Sequence, residues 1–383
     1  MLPFIDLATQ QARIRPQIDA AIARVLDHGK YIMGPEVAQL ENELCEFVGS
    51  KHCITVSNGT DALIASLMAL EFGPGDAVIT TPFTFFATVE AIMSVGATPV
   101  FADIDPHTFN VCPDEIVKAI VKTKQDGRLR LRAIMTVDLF GLCADYESIN
   151  QIAKQNNLLV IQDAAQAFGA STSDGRRAPT HGLVGTTSFF PAKPFGCYGD
   201  GGAVFTDDDE LAETIRSIRV HGKGADKYDN IRVGQNCRLS TMQAAILLEK
   251  LKIYQSELDA RETVAAMYSQ HFERLNEQQN HDATIGVPQT PEDSQSAWAQ
   301  YTLRLKNREQ IAAQLKKHGI PTTVYYRTPS HLLGACRKLG YETGDFPNAE
   351  LAANEVLSLP FHPYMNKETI SIVLTSLKTT VGR

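Results

Sequence analysis

No two of the seven cysteines stand at C-x-x-C spacing, and their number is odd. Cys45, Cys53, Cys112, Cys143, Cys197, Cys237 and Cys336 are scattered singly along the chain. That pattern argues against a zinc site or a disulfide framework and fits a reducing compartment. Long basic runs are also missing, and the formal net charge of -8 argues against a nucleic-acid surface. No apolar stretch reaches the length of a membrane span, and the opening MLPFIDLATQQARI becomes charged within a few residues. Neither a signal peptide nor a membrane partner is expected, and the chain reads as soluble and cytoplasmic. A Walker P-loop, HExxH and GxSxG are absent. Gly199, Gly201 and Gly202 do not follow a strand at GxGxxG spacing, which argues against a nicotinamide-dependent dehydrogenase. There is no internal repeat and no low-complexity tract.

What is present is an ordinary globular balance, 44% hydrophobic and 21% charged residues. A chain of 383 residues exceeds what one compact core needs, so a large and a small domain are expected. Residues 1–50 read as a helical arm, with helical spacing in PQIDAAIARVLDHGK and PEVAQLENELCEFVG and punctuation at Gly29 and Gly34. Residues 51–240 alternate between short apolar runs and amphipathic stretches. HCITVS, AVITTP, TPVFADI, LRAIMTVDL, LLVIQDA, TTSFF and GAVFT are the strand candidates. Strands without polar alternation, separated by helices, predict a mainly parallel sheet covered on both faces. Residues 241–383 supply a long linking helix and a smaller domain with QYTLRL, a helix after Asn307, PTTVYY and a last helix after Asn366. The polar stretch 276–293 is the expected mobile loop.

Ligands of such sheets bind beyond the carboxyl ends of the strands. Three strand ends stand out. Ser57-Asn58-Gly59-Thr60-Asp61 opens a helix, and its free N–H groups and positive dipole end suit a phosphate. The same residues are good N-caps without any ligand. Asp163 follows LLVIQ and can meet a ribose, a metal or a protonated ring nitrogen, or simply cap a helix. Lys193 sits in SFFPAKPFGCYGDGGAVF, where shielding by apolar neighbours lowers an amine pKa and favours attack on an aldehyde. Taken alone, a surface lysine is the plainer reading.

Taken in order, HGKYIMGPEV, SNGTDAL, PFTFFATVEAI, QDAAQAFGA, SFFPAKPFGCYGDGGAV, VGQNCRLS and VYYRTP resemble the DegT/DnrJ/EryC1/StrS sugar aminotransferases, from FIDL at 4–7 to LPFHPY at 359–364. The resemblance implies a fold type I pyridoxal-phosphate transferase. Its α/β large domain holds a mixed, mostly parallel seven-stranded sheet between helices, with a smaller α/β C-terminal domain. It implies that Lys193 bonds the pyridoxal 5'-phosphate covalently and shuttles protons, and that Asp163 holds the pyridine nitrogen protonated. Gln166 matches the position beside the phenolic oxygen, and Phe85 the aromatic on the ring face. Gly59, Thr60 and Ser188 match phosphate contacts, and Asn236 a phosphate contact from the partner subunit, which implies a homodimer with shared active sites. Phe85 as plain core and Ser188 as a strand residue remain open alternatives.

The substrate side resembles the subgroup that aminates UDP-2-acetamido-2-deoxy-3-oxo-glucuronate for surface polysaccharide such as lipopolysaccharide. L-glutamate is the donor, and pyridoxamine 5'-phosphate is the intermediate cofactor form. There Arg238 is associated with the substrate carboxylate, although an interface role is open, and Tyr326 and His331 fall in the substrate segment. Arg327 departs from the family's proline and leaves the C4 position of a UDP-4-keto-6-deoxy-N-acetylhexosamine as an alternative. A non-catalytic cofactor-binding regulator is the other.

Overall fold

The computed structural model describes residues 2–226, 228–277 and 285–381. Seven strands form the main sheet: β1 (His52–Val56), β2 (Asp76–Thr80), β3 (Thr98–Phe101), β4 (Arg130–Val137), β5 (Leu159–Asp163), β6 (Val184–Ser188) and β7 (Gly202–Thr206). Their spatial order is β1-β7-β6-β5-β4-β2-β3. All neighbours pair in parallel except at β7, which runs antiparallel to both β1 and β6. The seven apolar runs of the sequence are these strands. Because β1, β4, β5 and β6 point the same way, Ser57, Asp138, Asp163 and Ser188 emerge at one end of the sheet.

Both faces are dry. Successive strand residues enter opposite cores: Cys53, Ile79, Ile134, Val160 and Phe205 one, Ile54, Val78, Ala133, Ile161 and Val204 the other. This is why the strands lack polar alternation. The helices Pro35–Val48, Pro113–Asp126 and Tyr146–Asn156 cover the first face, and Gly59–Ala69, Ala87–Ser94 and Asp209–Arg219 the second. The N-terminal segment is packed tightly: Val37, Leu40, Leu44 and Val48 belong to the main core. Gly29 closes the helix Arg15–His28 in the left-handed region, φ +67°.

The helix Thr241–Glu277 belongs to two cores. Its first half sends Ala244, Leu247, Tyr254 and Leu258 into the main core. Its second half sends Val264, Tyr268, Phe272 and Leu275 into a separate C-terminal core with Trp298, Tyr301, Leu357 and Leu374. Burying each such side chain contributes about 1.5–3 kcal/mol, so one continuous helix anchors both bodies. The C-terminal sheet has two antiparallel strands, β8 (Tyr301–Arg304) and β9 (Val356–Leu359). PTTVYY forms no strand: only Thr323 bridges, to Ser358. The second strand is VLSL, whose last residue, Leu359, opens LPFHPY. Part of the expected loop, 278–284, lies outside the described residues. No helix among the described residues is long and apolar enough to cross a membrane.

Candidate active site

A cavity of about 620 Å³ opens at the sheet end reached by β1, β5 and β6, within the size range of small-molecule sites. Gly59, Thr60, Phe85, Asp163, Gln166, Ser188, Lys193 and Tyr326 all line it. Eight of the expected site residues, spread over more than 260 positions, therefore meet in one place.

Gly59 and Thr60 begin the helix Gly59–Ala69. Asn58 caps it, its Oδ1 accepting from Asp61 N at 2.8 Å. The first intrahelical bond is Ala62 N to Asn58 O, 3.1 Å. The amides of Gly59 and Thr60 precede it and remain for an outside acceptor. A Cβ on Gly59 would lie 2.8 Å from Ser188 Cβ. The glycine thus lets the helix start press onto the end of β6, with the free amides and Ser188 side by side as a cradle. Ser188 Oγ accepts from Phe190 N at 3.3 Å, and its hydroxyl proton is available to the cradle.

Asp163, the last residue of β5, is buried. Burial raises its pKa, against the hydrogen bonds of Thr88 Oγ1 (2.8 Å) and Ala165 N (3.1 Å) and the Lys193 charge. Thr84 Oγ1 in turn bonds Thr88 Oγ1 at 2.9 Å. Each carboxylate oxygen thereby accepts one hydrogen bond, which orients the group, and a cationic ring nitrogen would lower the pKa again. Sequence reasoning missed Thr88; a threonine pair at i, i+4 beginning a helix beside the Phe85 motif is its signal.

Asp138 was also missed. At the end of β4, it accepts from Ala144 N (3.0 Å), Tyr146 OH (2.6 Å) and Gln162 Nε2 (2.6 Å). Burial pushes its pKa up to about 7 against those bonds.

Lys193 is half-buried in a turn after β6, its backbone N–H donating to Phe190 O at 2.9 Å. Burial lowers its amine pKa, and Asp163 opposes that. The amine is thereby biased toward its neutral, nucleophilic form.

Phe85 is 58% exposed, so its ring faces the cavity and is not core. Its centroid lies 6.2 Å from that of Tyr326. Gln166 links two chain segments: Oε1 accepts from Phe140 N at 2.9 Å, and Nε2 donates to Tyr326 OH at 3.2 Å. Phe140 itself has φ +57°, a left-handed backbone that turns its N–H toward Gln166.

Three expected residues are elsewhere. His331 is 2% exposed and bonded to Glu350 at 3.1 Å, between Phe101 and Phe346. It does not line the cavity; Ser330 N is tied to Pro82 O at 2.7 Å, which carries the next side chain inward to the C-terminal body. Asn236 is exposed, and Arg238 donates to its Oδ1; neither lines the cavity of its own chain. Arg327, the departure from the family pattern, makes an exposed ion pair with Glu309 at 2.9 Å and stays outside.

The sequence model of the DegT/DnrJ/EryC1/StrS aminotransferase family matches residues 12–378. The UDP-2-acetamido-2-deoxy-3-oxo-D-glucuronate aminotransferase of Pseudomonas aeruginosa is 48% identical over 98% of this chain and 99% of its own. A DegT DnrJ EryC1 StrS aminotransferase structure from Brucella abortus superposes with a TM-score of 0.95 at 44% identity, covering 100% of both chains. The Bacillus subtilis NtdA structure with bound cofactor PMP gives 0.88 at 30% identity, covering 99% of this chain and 83% of that one. The chain belongs to the DegT/DnrJ/EryC1/StrS aminotransferase family.

Proposed function

We propose that this family member is a pyridoxal-phosphate-dependent aminotransferase that moves the amino group of L-glutamate onto UDP-2-acetamido-2-deoxy-3-oxo-glucuronate, for surface polysaccharide synthesis in the cytoplasm. One observation carries the reading: Lys193, Asp163 and the Gly59–Thr60 helix start open onto the same cavity. An amine whose pKa burial lowers, an oriented carboxylate and an anion cradle are the three things a phosphorylated pyridine aldehyde requires.

The residues fit that cofactor. The Gly59 and Thr60 amides and the Ser188 hydroxyl would hold its phosphate, Asp163 its ring nitrogen, Phe85 a ring face, and Gln166 its phenolic side. When bound, its protonated ring accepts the electron pair left when a carbon next to nitrogen loses a proton. The protein does the rest. Asp163, fixed by Thr88, keeps a proton on the ring nitrogen. Lys193 Nζ takes the proton from the donor's α-carbon and returns one to the sugar carbon that receives the amine. In sum, glutamate and keto sugar give 2-oxoglutarate and the 3-amino sugar.

The reading includes a homodimer. Asn236 and Arg238 lie outside their own cavity, on a segment with exposed Ile231 and Val233, beside exposed Tyr31 and Ile32. Backbone contacts tie the two segments together, Ile32 bridging Ser240 and Thr241 N donating to Tyr31 O. Such an apolar rim is what a symmetric interface covers. Asn236 of the partner subunit would then reach the phosphate, and Arg238 of the partner subunit the sugar carboxylate as a bidentate pair.

The test is the visible spectrum of the purified protein. The wild type is expected to show a yellow band that glutamate bleaches and the 3-keto sugar nucleotide restores. Lys193→Ala is expected to lose turnover. A colourless protein even with added pyridoxal phosphate would overturn the reading. Restoration only by a 4-keto-6-deoxy sugar nucleotide would move the amination to C4.

A further inference from the structure

A second lysine stands behind the first. Lys250, on the helix Thr241–Glu277, is 2% exposed. Lysines so deeply buried are rare unless paired. Its Nζ donates to the carbonyl of Gly196, three residues past Lys193, and lies 4.9 Å from the ring centroid of Tyr198. The turn it touches is closed by its own backbone: Lys193 N bonds Phe190 O at 2.9 Å, and Cys197 N bonds Phe189 O at 2.7 Å. It is also tight, since a Cβ on Gly196 would meet Phe190 O at 2.4 Å. A turn closed in this way moves as a unit, and the Gly196 carbonyl is where Lys250 grips it.

The grip is tied to the rest of the chain. Glu257, two turns along the same helix, is 2% exposed and accepts from Gln10 Nε2 at 2.9 and 3.0 Å and from Tyr364 OH. Lys193, Lys250, Gln10, Arg261, His362 and Tyr364 share the lining of a water-sized cavity of about 10 Å³.

We propose that Lys250 is a positioning residue for the amination, holding the turn by the Gly196 carbonyl and so fixing how far the Lys193 amine reaches into the large cavity. Charge reaches Lys250 from several sides. Burial pushes its pKa down to about 8, with Glu257 and Cys197 pulling it up. Arg261 of the same helix and Asp6 and His362 from two further segments line the small cavity, and Tyr198 covers the ammonium. The proposal rests on Lys193 being the cofactor's lysine; were that wrong, Lys193→Ala would still turn over.

Lys250→Met keeps the stem and removes the donor. In the holoenzyme it is expected to shift the pH midpoint of the visible band by roughly half a unit or more. It should also speed cofactor loss on dilution by roughly two- to ten-fold, the effect of one net hydrogen bond. Lys250→Gln keeps a donor on a shorter side chain and should fall between the two. A Lys250→Met protein with a lowered Tm but wild-type midpoint and cofactor retention would reduce Lys250 to a packing role and overturn the proposal. Should Lys250→Met not fold, Lys250→Gln decides: values identical to wild type overturn the proposal, and a partial shift supports it.

Discussion

Gln166 and Tyr326 are joined across 160 residues by a 3.2 Å hydrogen bond, amide Nε2 to phenol oxygen. The other end of the Gln166 amide is held by Phe140 N, whose residue also receives Ala299 N at 2.9 Å. The C-terminal body thus touches the site twice through one glutamine. Tyr326→Phe keeps the ring, which packs against Phe83 and Phe85, but leaves the amide of Gln166 without an acceptor. An unmet buried donor costs about 1–3 kcal/mol. In steady-state kinetics kcat/KM for the keto sugar should fall roughly ten-fold or more. An unchanged kcat/KM with a lowered Tm would mean that the bond serves folding alone.

Gly59→Ala tests the anion cradle. The added methyl would lie 2.8 Å from Ser188 Cβ and 3.3 Å from its Oγ. The backbone there is ordinary helix, so the effect is steric and local. Titrating apoprotein with pyridoxal phosphate should show roughly ten-fold weaker binding, a cost of about 1.4 kcal/mol. Undiminished affinity in the single variant would place the phosphate elsewhere.

His181 supplies a pH prediction. Its ring stacks on Tyr146 at 4.5 Å and 7°, and neither ring nitrogen has a partner. Burial, with Arg176 adding to it, holds its pKa down to about 4 against an ordinary 6.5. The folded-state value is lowered, so below 6.5 the unfolded chain binds a proton that the folded chain refuses. Stability is then lost as pH falls from 6.5 and levels off below 4. His181→Phe keeps the stack and removes the proton. Denaturant unfolding of the variant should show a pH slope shallower by about one proton across that window. Equal slopes would show that the histidine is protonated in place.

Much of the site could be read without coordinates, because its residues sit at strand ends inside local motifs. An apolar run followed by a polar residue signals a strand terminus wherever the chain goes afterwards, and this marks Gly59, Asp163 and Lys193, whereas Ser188 came only from the family resemblance. Thr88 and Asp138 were not, because their roles come from carboxylates and amides brought from other strands. VLSL was missed as well: four residues with one serine carry little pattern, and only pairing with β8 makes them a strand.

The sequence by itself determined the sheet and its dry faces, since these follow from local periodicity, and it marked Gly59, Asp163 and Lys193 as strand-end candidates. Only the tertiary structure decided that Phe85 faces the cavity, that His331 belongs to Glu350, and that Lys250 grips the turn of Lys193. The physical reason is that exposure and hydrogen-bond partnership are set by which distant segment arrives opposite a residue, and no local pattern records that arrival.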